Sequence, residues 1–158
     1  MNKINCRIRK EWVVATPEEG VRQKLLHHMI EDLGYPSSHI ALEKALNQMP
    51  HLKLSQGTIP NRRTDIVCFA EKIHPEHALY PLLVVECKAV ILNGKVINQV
   101  LGYNHFLGAY FIAIANHQEI KTGWYDNSHK NYRFVNHLPS YAELREAIKK
   151  QDDNKKTT

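Results

Sequence analysis

Residues 82–90 (LLVVECKAV) constrain the fold of this chain more than any other part of its sequence. Their apolar and β-branched side chains are typical of a buried strand. Glu86 and Lys88 interrupt this run, although ionised side chains are rarely buried unless they pair with an opposite charge or bind a metal. Because strand side chains alternate between two faces, both residues share one face with Val84. The sequence therefore predicts a buried strand that brings an acid and a base to one place.

A second acid lies on the preceding predicted strand, residues 64–70 (TDIVCFA). Asp65 is the only acid of that strand. If the two strands pair, Asp65 and Glu86 approach each other, and each negative charge raises the pKa of the other carboxyl group. A divalent cation relieves this repulsion, and Mg²⁺ prefers one or two carboxylates together with water and phosphate oxygens. We therefore expect a Mg²⁺ site here, with Lys88 placed to position or help deprotonate an attacking water.

The pattern of the whole chain predicts an α/β domain with a central mixed sheet flanked by helices. Thr16, Pro17 and Glu19 form a helix start, as N-cap, first and third helical residues, and apolar residues at helical spacing follow until Gly34. Residues 39–54 are ambiguous between a strand and a short helix. The other predicted elements are a helix over residues 95–107, strands over 110–115 and 121–126, and an amphipathic helix over 141–150.

Composition favours one soluble domain. The chain has 158 residues, of which 43% are hydrophobic and 23% charged, as in ordinary globular proteins. We predict a single domain over residues 1–148 and a flexible tail over 149–158, because QDDNKKTT contains no apolar residue. No stretch approaches the ~20 apolar residues of a membrane helix, so we expect no membrane association.

The N-terminal sequence and the cysteines indicate the cellular compartment, and the net charge indicates which partners are possible. The N-terminus lacks the apolar core of a secretory signal, and the three cysteines have no paired spacing, which together favour a reducing cytoplasm. The net charge of +5 permits an anionic partner such as a nucleic acid, although it does not establish one.

The acids and the lysine follow the signature of the PD-(D/E)xK nuclease superfamily. Asp65, twenty further residues and then Glu86-Cys87-Lys88 resemble that signature, with Thr64 in place of its proline. That position mainly shapes the backbone. The order of the two strands also resembles that superfamily, which implies a restriction-endonuclease-like fold.

Other segments resemble a narrower group, the N-terminal nuclease domain of type I restriction enzyme R subunits. Gln99 and Tyr103 match the QxxxY element found in several branches of the superfamily, on the helix after the second strand. The resemblance to the R subunits extends over roughly residues 11–126, through PEEGVRQKLL, RRTDIV, LLVVECKA, NQVLGYN and the strand that ends in Asn116.

The resemblance implies metal-assisted hydrolysis of a DNA phosphodiester bond. Asp65 and Glu86 correspond to metal ligands, with the backbone carbonyl of Cys87 as a third, and Lys88 corresponds to the catalytic lysine. Mg²⁺ is the implied cofactor, with Mn²⁺ as a substitute. Glu19 best matches the helical acid that can hold a second metal, and Glu18 is the alternative.

Some of these residues also have simpler explanations. Glu19 occupies the capping-box position after the N-cap threonine, so capping and metal binding both stay open. Gln99 and Tyr103 are implied to contact the nucleic-acid backbone or to orient the site, but they also fit the polar edge of an amphipathic helix. Arg62 and Arg63 fit either phosphate contacts or a solvated basic loop.

The sequence departs from the R subunits in one respect. Those subunits continue into an ATP-driven helicase motor, whereas this chain stops, and its Asn93-Gly94-Lys95 stretch lacks the phosphate-binding loop pattern. We therefore expect no ATP site in this chain. DNA is the expected partner, together with a second copy of the chain or a separate partner subunit. The alternative function is a non-cleaving nucleic-acid-binding or assembly module of the same fold that works with a partner chain.

Overall fold

A computed structural model describes the backbone of residues 1–52 and 59–156. Three α-helices lie in these ranges: α1 (Pro17–His27), α2 (Gly94–Leu107) and α3 (Tyr141–Lys156). The strands of the same ranges are β1 (Lys3–Cys6), β2 (Glu11–Val14), β3 (Ile40–Ala45), β4 (Arg63–Glu71), β5 (Leu79–Cys87), β6 (Phe111–Ala115), β7 (Ile120–Asp126) and β8 (Asn131–Val135).

The centre of the fold is a six-stranded mixed sheet in the order β3-β4-β5-β6-β7-β8. β5 and β6 run parallel, and the other neighbouring pairs run antiparallel. A parallel pair requires a crossover, which α2 provides between these two strands. β1 and β2 form a separate antiparallel hairpin. The predicted α/β class with a central mixed sheet flanked by helices is confirmed.

Helices cover both faces of this sheet. One hydrophobic cluster joins α1 and α3 to the sheet through Leu26, Leu144 and Val85. The other cluster joins α2 to the opposite face through Leu107 and Val84. Because side chains alternate along a strand, Glu86, two residues after Val84, also lies on the α2 face.

Helix boundaries follow the capping signals of the sequence. Thr16 caps α1 by accepting a hydrogen bond of 3.1 Å from the backbone N–H of Glu19. Asn93 caps α2 by accepting one of 3.0 Å from the N–H of Val96. Gly108 closes α2 with φ of 72°, a conformation that favours glycine.

The strand boundaries differ from the prediction in three places. β5 starts before residue 82 and ends at Cys87, so the predicted extension to Val90 is wrong. The N–H of Lys88 donates to the carbonyl of Ala115, and the chain then bends away with Val90 exposed. In the ambiguous segment 39–54 the strand alternative is confirmed for β3, short 3₁₀ turns follow up to Leu52, and residues 53–54 lie outside the described residues. β1, β2 and β8 were not predicted.

The last helix is longer than predicted. α3 continues to Lys156 and so includes part of the segment predicted to be a tail. The assignment of residues 1–148 to one domain and of 149–158 to a flexible tail stays a prediction. Across the described ranges, no helix is long and apolar enough to cross a membrane.

Candidate functional site

The adjoining ends of β4 and β5 bring Asp65 and Glu86 together. Ile66 pairs with Val85 in the antiparallel register, and one further step along that register sets Asp65 opposite Glu86. Asp65 Oδ2 accepts a hydrogen bond of 2.7 Å from the backbone N–H of Cys87. The carboxyl group of one strand is therefore tied to the backbone of the other, beside the second acid.

Burial disfavours the ionised form of both Asp65 and Glu86. It is the main cause that raises the pKa of Asp65, and the hydrogen bond from Cys87 opposes it. Burial also raises the pKa of Glu86, and the negative charge of Asp65 is the next cause. Two carboxyl groups in a partly dry site thus disfavour each other's charged form. A cation between them would reverse that effect.

Glu86 is 5% exposed and is held by three neighbours. Tyr103 donates its hydroxyl to Glu86 Oε2 at 2.9 Å, which fixes the carboxylate from the α2 side. Arg62 Nη2 donates to Glu86 Oε1 at 3.2 Å, and Lys88 Nζ lies 3.8 Å from the same oxygen. The Arg62 guanidinium also stacks over the Tyr103 ring, 4.5 Å from its centre. This carboxylate is therefore both oriented and partly neutralised.

A cavity of about 270 Å³ opens beside these strand ends. Asp65 and Cys87 line it from the sheet, Glu19 and Arg22 line it from α1, and Val13 lines it from β2. Three separate parts of the chain thus enclose a space that reaches Asp65, the neighbour of Glu86 at the strand ends.

Glu19 lines this cavity, but its carboxylate already has partners. Arg22 Nη2 donates to Glu19 Oε2, and Gln23 Nε2 donates to Oε1 at 3.0 Å. Glu19 and Arg22 are both buried, with side-chain exposures of 6% and 9%. Glu18, the alternative candidate, lines the same cavity but is exposed. Whether Glu19 binds a metal stays a prediction.

The helix start is capped from one side only. Glu19 donates its backbone N–H to Thr16, as a capping box requires. In a complete capping box the Glu19 carboxylate would accept from the Thr16 N–H. That N–H donates instead to the carbonyl of Val14, at 3.0 Å. The Glu19 carboxylate is therefore used in the cavity and not in the cap.

A chain of alternating charges extends from Glu19 across the cavity. Arg22 Nη1 lies 3.5 Å from Glu43 Oε1, and Arg9 Nη2 donates to Glu43 Oε2 at 2.5 Å. Glu43 has a backbone φ of 50°, which non-glycine residues rarely adopt and which is frequent at functional sites. The hydrogen bond from Arg9 is the main cause that lowers the pKa of Glu43.

The predicted nucleic-acid contacts separate into two groups. Arg62 and Tyr103 both reach Glu86 and so belong to the site. Gln99 is exposed one helical turn before Tyr103, and Arg63 is exposed at the start of β4. In the residues that the structure describes, no hydrogen bond or ion pair joins Gln99 or Arg63 to the two acids.

The chemistry of the site fits a hard cation held by few protein ligands. In the described part of the chain, no group of three or more His, Cys, Asp or Glu side chains is arranged to hold a metal ion. The pair of carboxyl groups on Asp65 and Glu86 nevertheless matches the one or two carboxylates by which Mg²⁺ is usually bound, with water and phosphate oxygens completing its shell. The desolvation of both acids and the repulsion of Glu86 by Asp65 are features that a cation would relieve.

Sequence reasoning missed Arg9, Arg22 and Glu43. Arg22 had a usable signal, because it lies three residues after Glu19 on one helix face, the spacing at which ion pairs form. No sequence signal indicated Glu43, because neither its positive φ nor its approach to two arginines can be deduced from the local sequence.

Comparison with known proteins identifies one family. A family model described as the type I restriction enzyme R protein N terminus matches residues 17–139. The matched range contains all three of Asp65, Glu86 and Lys88, whereas the β1–β2 hairpin precedes it. No curated protein and no solved structure matches the chain significantly.

Proposed function

The chain belongs to the family of type I restriction enzyme R protein N-terminal domains, and from this premise we propose that it is a metal-dependent DNA nuclease domain of the PD-(D/E)xK type. The observation that carries the proposal is the meeting of two desolvated carboxyl groups, on Asp65 and Glu86, beside the ammonium group of Lys88. A merely structural ion pair would need only one of the two acids.

In this proposal Asp65, Glu86 and the carbonyl of Cys87 hold Mg²⁺, for which Mn²⁺ can substitute. When bound, the ion would supply positive charge to the phosphate and make hydroxide available from water near neutral pH. Because burial raises the pKa of each acid, protons compete with the ion for both carboxylates. Binding is therefore expected to weaken as the pH falls.

The protein's own groups orient the reaction. Tyr103 and Arg62 hold the Glu86 carboxylate in one position, which keeps it directed at the strand ends. Lys88 lies at the same carboxylate oxygen, where its ammonium group can position the attacking water or contact the phosphate. Gln99, exposed on α2, and Arg63, exposed on β4, are proposed contacts to the nucleic-acid backbone.

The test is DNA cleavage by the full chain, with supercoiled, linear and single-stranded DNA in Mg²⁺ or Mn²⁺. We expect Lys88→Ala to reduce cleavage by ~10²-fold or more, as loss of a group that transfers or positions a proton does. Lys149→Ala, a change of an exposed lysine on α3, is the matched control and should cleave normally. Full activity of Lys88→Ala with a native circular dichroism spectrum would refute the proposal.

One observation favours a second candidate function, a non-cleaving binding or assembly module. Arg62 and Lys88 already contribute two positive charges beside Glu86, so this acid has partners without any ion. Such a module would bind DNA but leave it intact in both metals. The family description concerns one part of a larger restriction enzyme, so DNA and a separate subunit are the proposed partners in either case.

A further inference from the structure

The acid side chains near the cavity outnumber those that one metal ion needs. Asp65 meets Glu86 at the strand ends and also lines the cavity, together with Glu19 and Glu43. Left without cations, these last two carboxylates would add to the repulsion that the first pair already experiences. The cavity therefore needs positive charge beyond a single divalent ion at Asp65 and Glu86.

Arg22 supplies that charge. It is 7% exposed, and its guanidinium spans the two extra acids, with Nη2 on Glu19 and Nη1 at 3.5 Å from Glu43. An arginine keeps its charge at any pH a protein tolerates, and its planar group suits several carboxylate oxygens at once. Its positive charge also favours the ionised form of Asp65, whose pKa it lowers against the larger effect of burial.

The surroundings hold this guanidinium in place. Gln23 donates a hydrogen bond to Oε1 of Glu19, so that Oε2 is the oxygen that accepts from Arg22. Arg9 takes the second oxygen of Glu43, on a residue whose backbone is held at positive φ. Both acids therefore present one oxygen to Arg22 and commit the other to a different partner, which leaves neither with a vacant oxygen for a metal.

We propose that the Arg22 guanidinium is a built-in cation of the cleft, which occupies the carboxylates of Glu19 and Glu43 so that the site takes one divalent cation and not two. This inference rests on the proposed function, because it presumes that an ion binds at Asp65 and Glu86. It assigns Glu19 a positioning role through Arg22. A second ion would have to displace a buried arginine from two acids against like-charge repulsion.

The test is the number of Mn²⁺ ions bound per chain, measured by the electron paramagnetic resonance signal of free Mn²⁺ and by titration calorimetry. The wild-type chain should bind one ion, and Asp65→Asn should lose it. Arg22→Gln should bind two, because Glu19 then has no cationic partner and Glu43 retains only Arg9. The double change Arg22→Gln with Glu19→Gln should return to one.

Two further variants separate charge from folding. Arg22→Lys keeps a positive charge and should still bind one ion. Arg133→Gln, which removes an arginine paired with Asp126 on the far strands, should leave the number at one. If Arg22→Gln does not fold, Glu19→Gln in the otherwise wild-type chain decides the matter. This variant should still bind one ion, because Glu19 is not a ligand, and loss of the ion would show that Glu19 is a ligand and would overturn the inference.

The outcomes distinguish this inference from the proposed function. Two ions in the wild type, both lost in Asp65→Asn, would overturn the inference alone. One ion in Arg22→Gln would do the same, whatever its affinity. No Mn²⁺ bound by the wild type at all would overturn the proposed metal site, and the inference with it.

Discussion

The hairpin of β4 and β5 has two ends that hold their polar groups in different ways. At the open end, which consists of Arg62, Asp65, Glu86 and Lys88, each acid faces a cation or another acid. At the turn end, aromatic rings contact one another: His74 stacks on Tyr80 with ring centres 4.4 Å apart. The rings of the turn end are His51, His74, His77, Tyr80 and Tyr110.

The partners of these groups show what each end does. At the turn end, hydrogen bonds go to backbone carbonyls: Tyr80 donates to Gly108 at 2.6 Å, and a ring nitrogen of His51 lies 2.6 Å from the Leu107 oxygen. Those bonds fasten the end of α2 and need no change of charge. At the open end, burial opposes the charged form of both acids. The turn end thus stabilises the fold. The open end instead brings together two carboxyl groups whose ionisation is disfavoured by burial.

The largest change in stability is expected at the turn end, for substitution of Gly108. A Cβ there would lie 2.8 Å from the Tyr80 hydroxyl, on a backbone with φ of 72°. We expect Gly108→Ala to lower the free energy of unfolding by about 2 kcal/mol, from the left-handed backbone and the displaced tyrosine. Chemical denaturation measures this change. Gly94→Ala is the control, because a Cβ at that position meets no atom within 4 Å.

A smaller effect of opposite sign is expected at the open end. The pKa of Glu86 is raised from its usual 4.5, so the folded state loses stability as the pH rises from 4.5 through the raised pKa. Glu86→Gln removes that loss. We expect it to increase the free energy of unfolding at pH 7 by about 1 kcal/mol, an ordinary size for one substitution.

The same variant provides its own check at low pH. Near pH 3 the carboxyl group is protonated in folded and unfolded chains alike, so the stabilisation by Glu86→Gln should disappear there. Added Mn²⁺ should raise the melting temperature of the wild type more than that of the variant. A destabilised Glu86→Gln at pH 7 would remove the contrast between the two ends.

The smallest effect is expected in the pH dependence of the turn end. Burial lowers the pKa of His51 from 6.5, and His77 and His74 lower it further. A lowered pKa means that this histidine's contribution is complete above pH 6.5 and is lost as the pH falls through the folded-state pKa. His51→Gln should therefore flatten the decline of the melting temperature between pH 7 and pH 5. His105→Gln, at an exposed histidine, should leave the decline as it is.

Parts of this molecule were predictable because local rules determine them. The start of α1 follows from Thr16 and Pro17, whose capping preferences do not depend on the rest of the fold. The meeting of Asp65 and Glu86 follows once two neighbouring strands pair antiparallel. Each of these features needs at most one assumption about tertiary structure.

Other parts depend on contacts between distant segments. β1 and β2 have four residues each, and EWVV has no clear alternation, so neither carried a strand signal. The end of β5 is set by Ala115, whose carbonyl takes the N–H of Lys88 before the chain turns away. Glu43 and Arg22 meet only because β3 and α1 pack around one cavity.

The β1–β2 hairpin limits how far this protein can be shortened. A fragment that began at residue 17, where the family match begins, would retain Asp65, Glu86 and Lys88. It would lack Arg9, one of the two arginines on Glu43, and the valines of β2 that line the cavity. Such a fragment would carry the whole signature around an incomplete cleft, so its inactivity would say nothing about the intact protein.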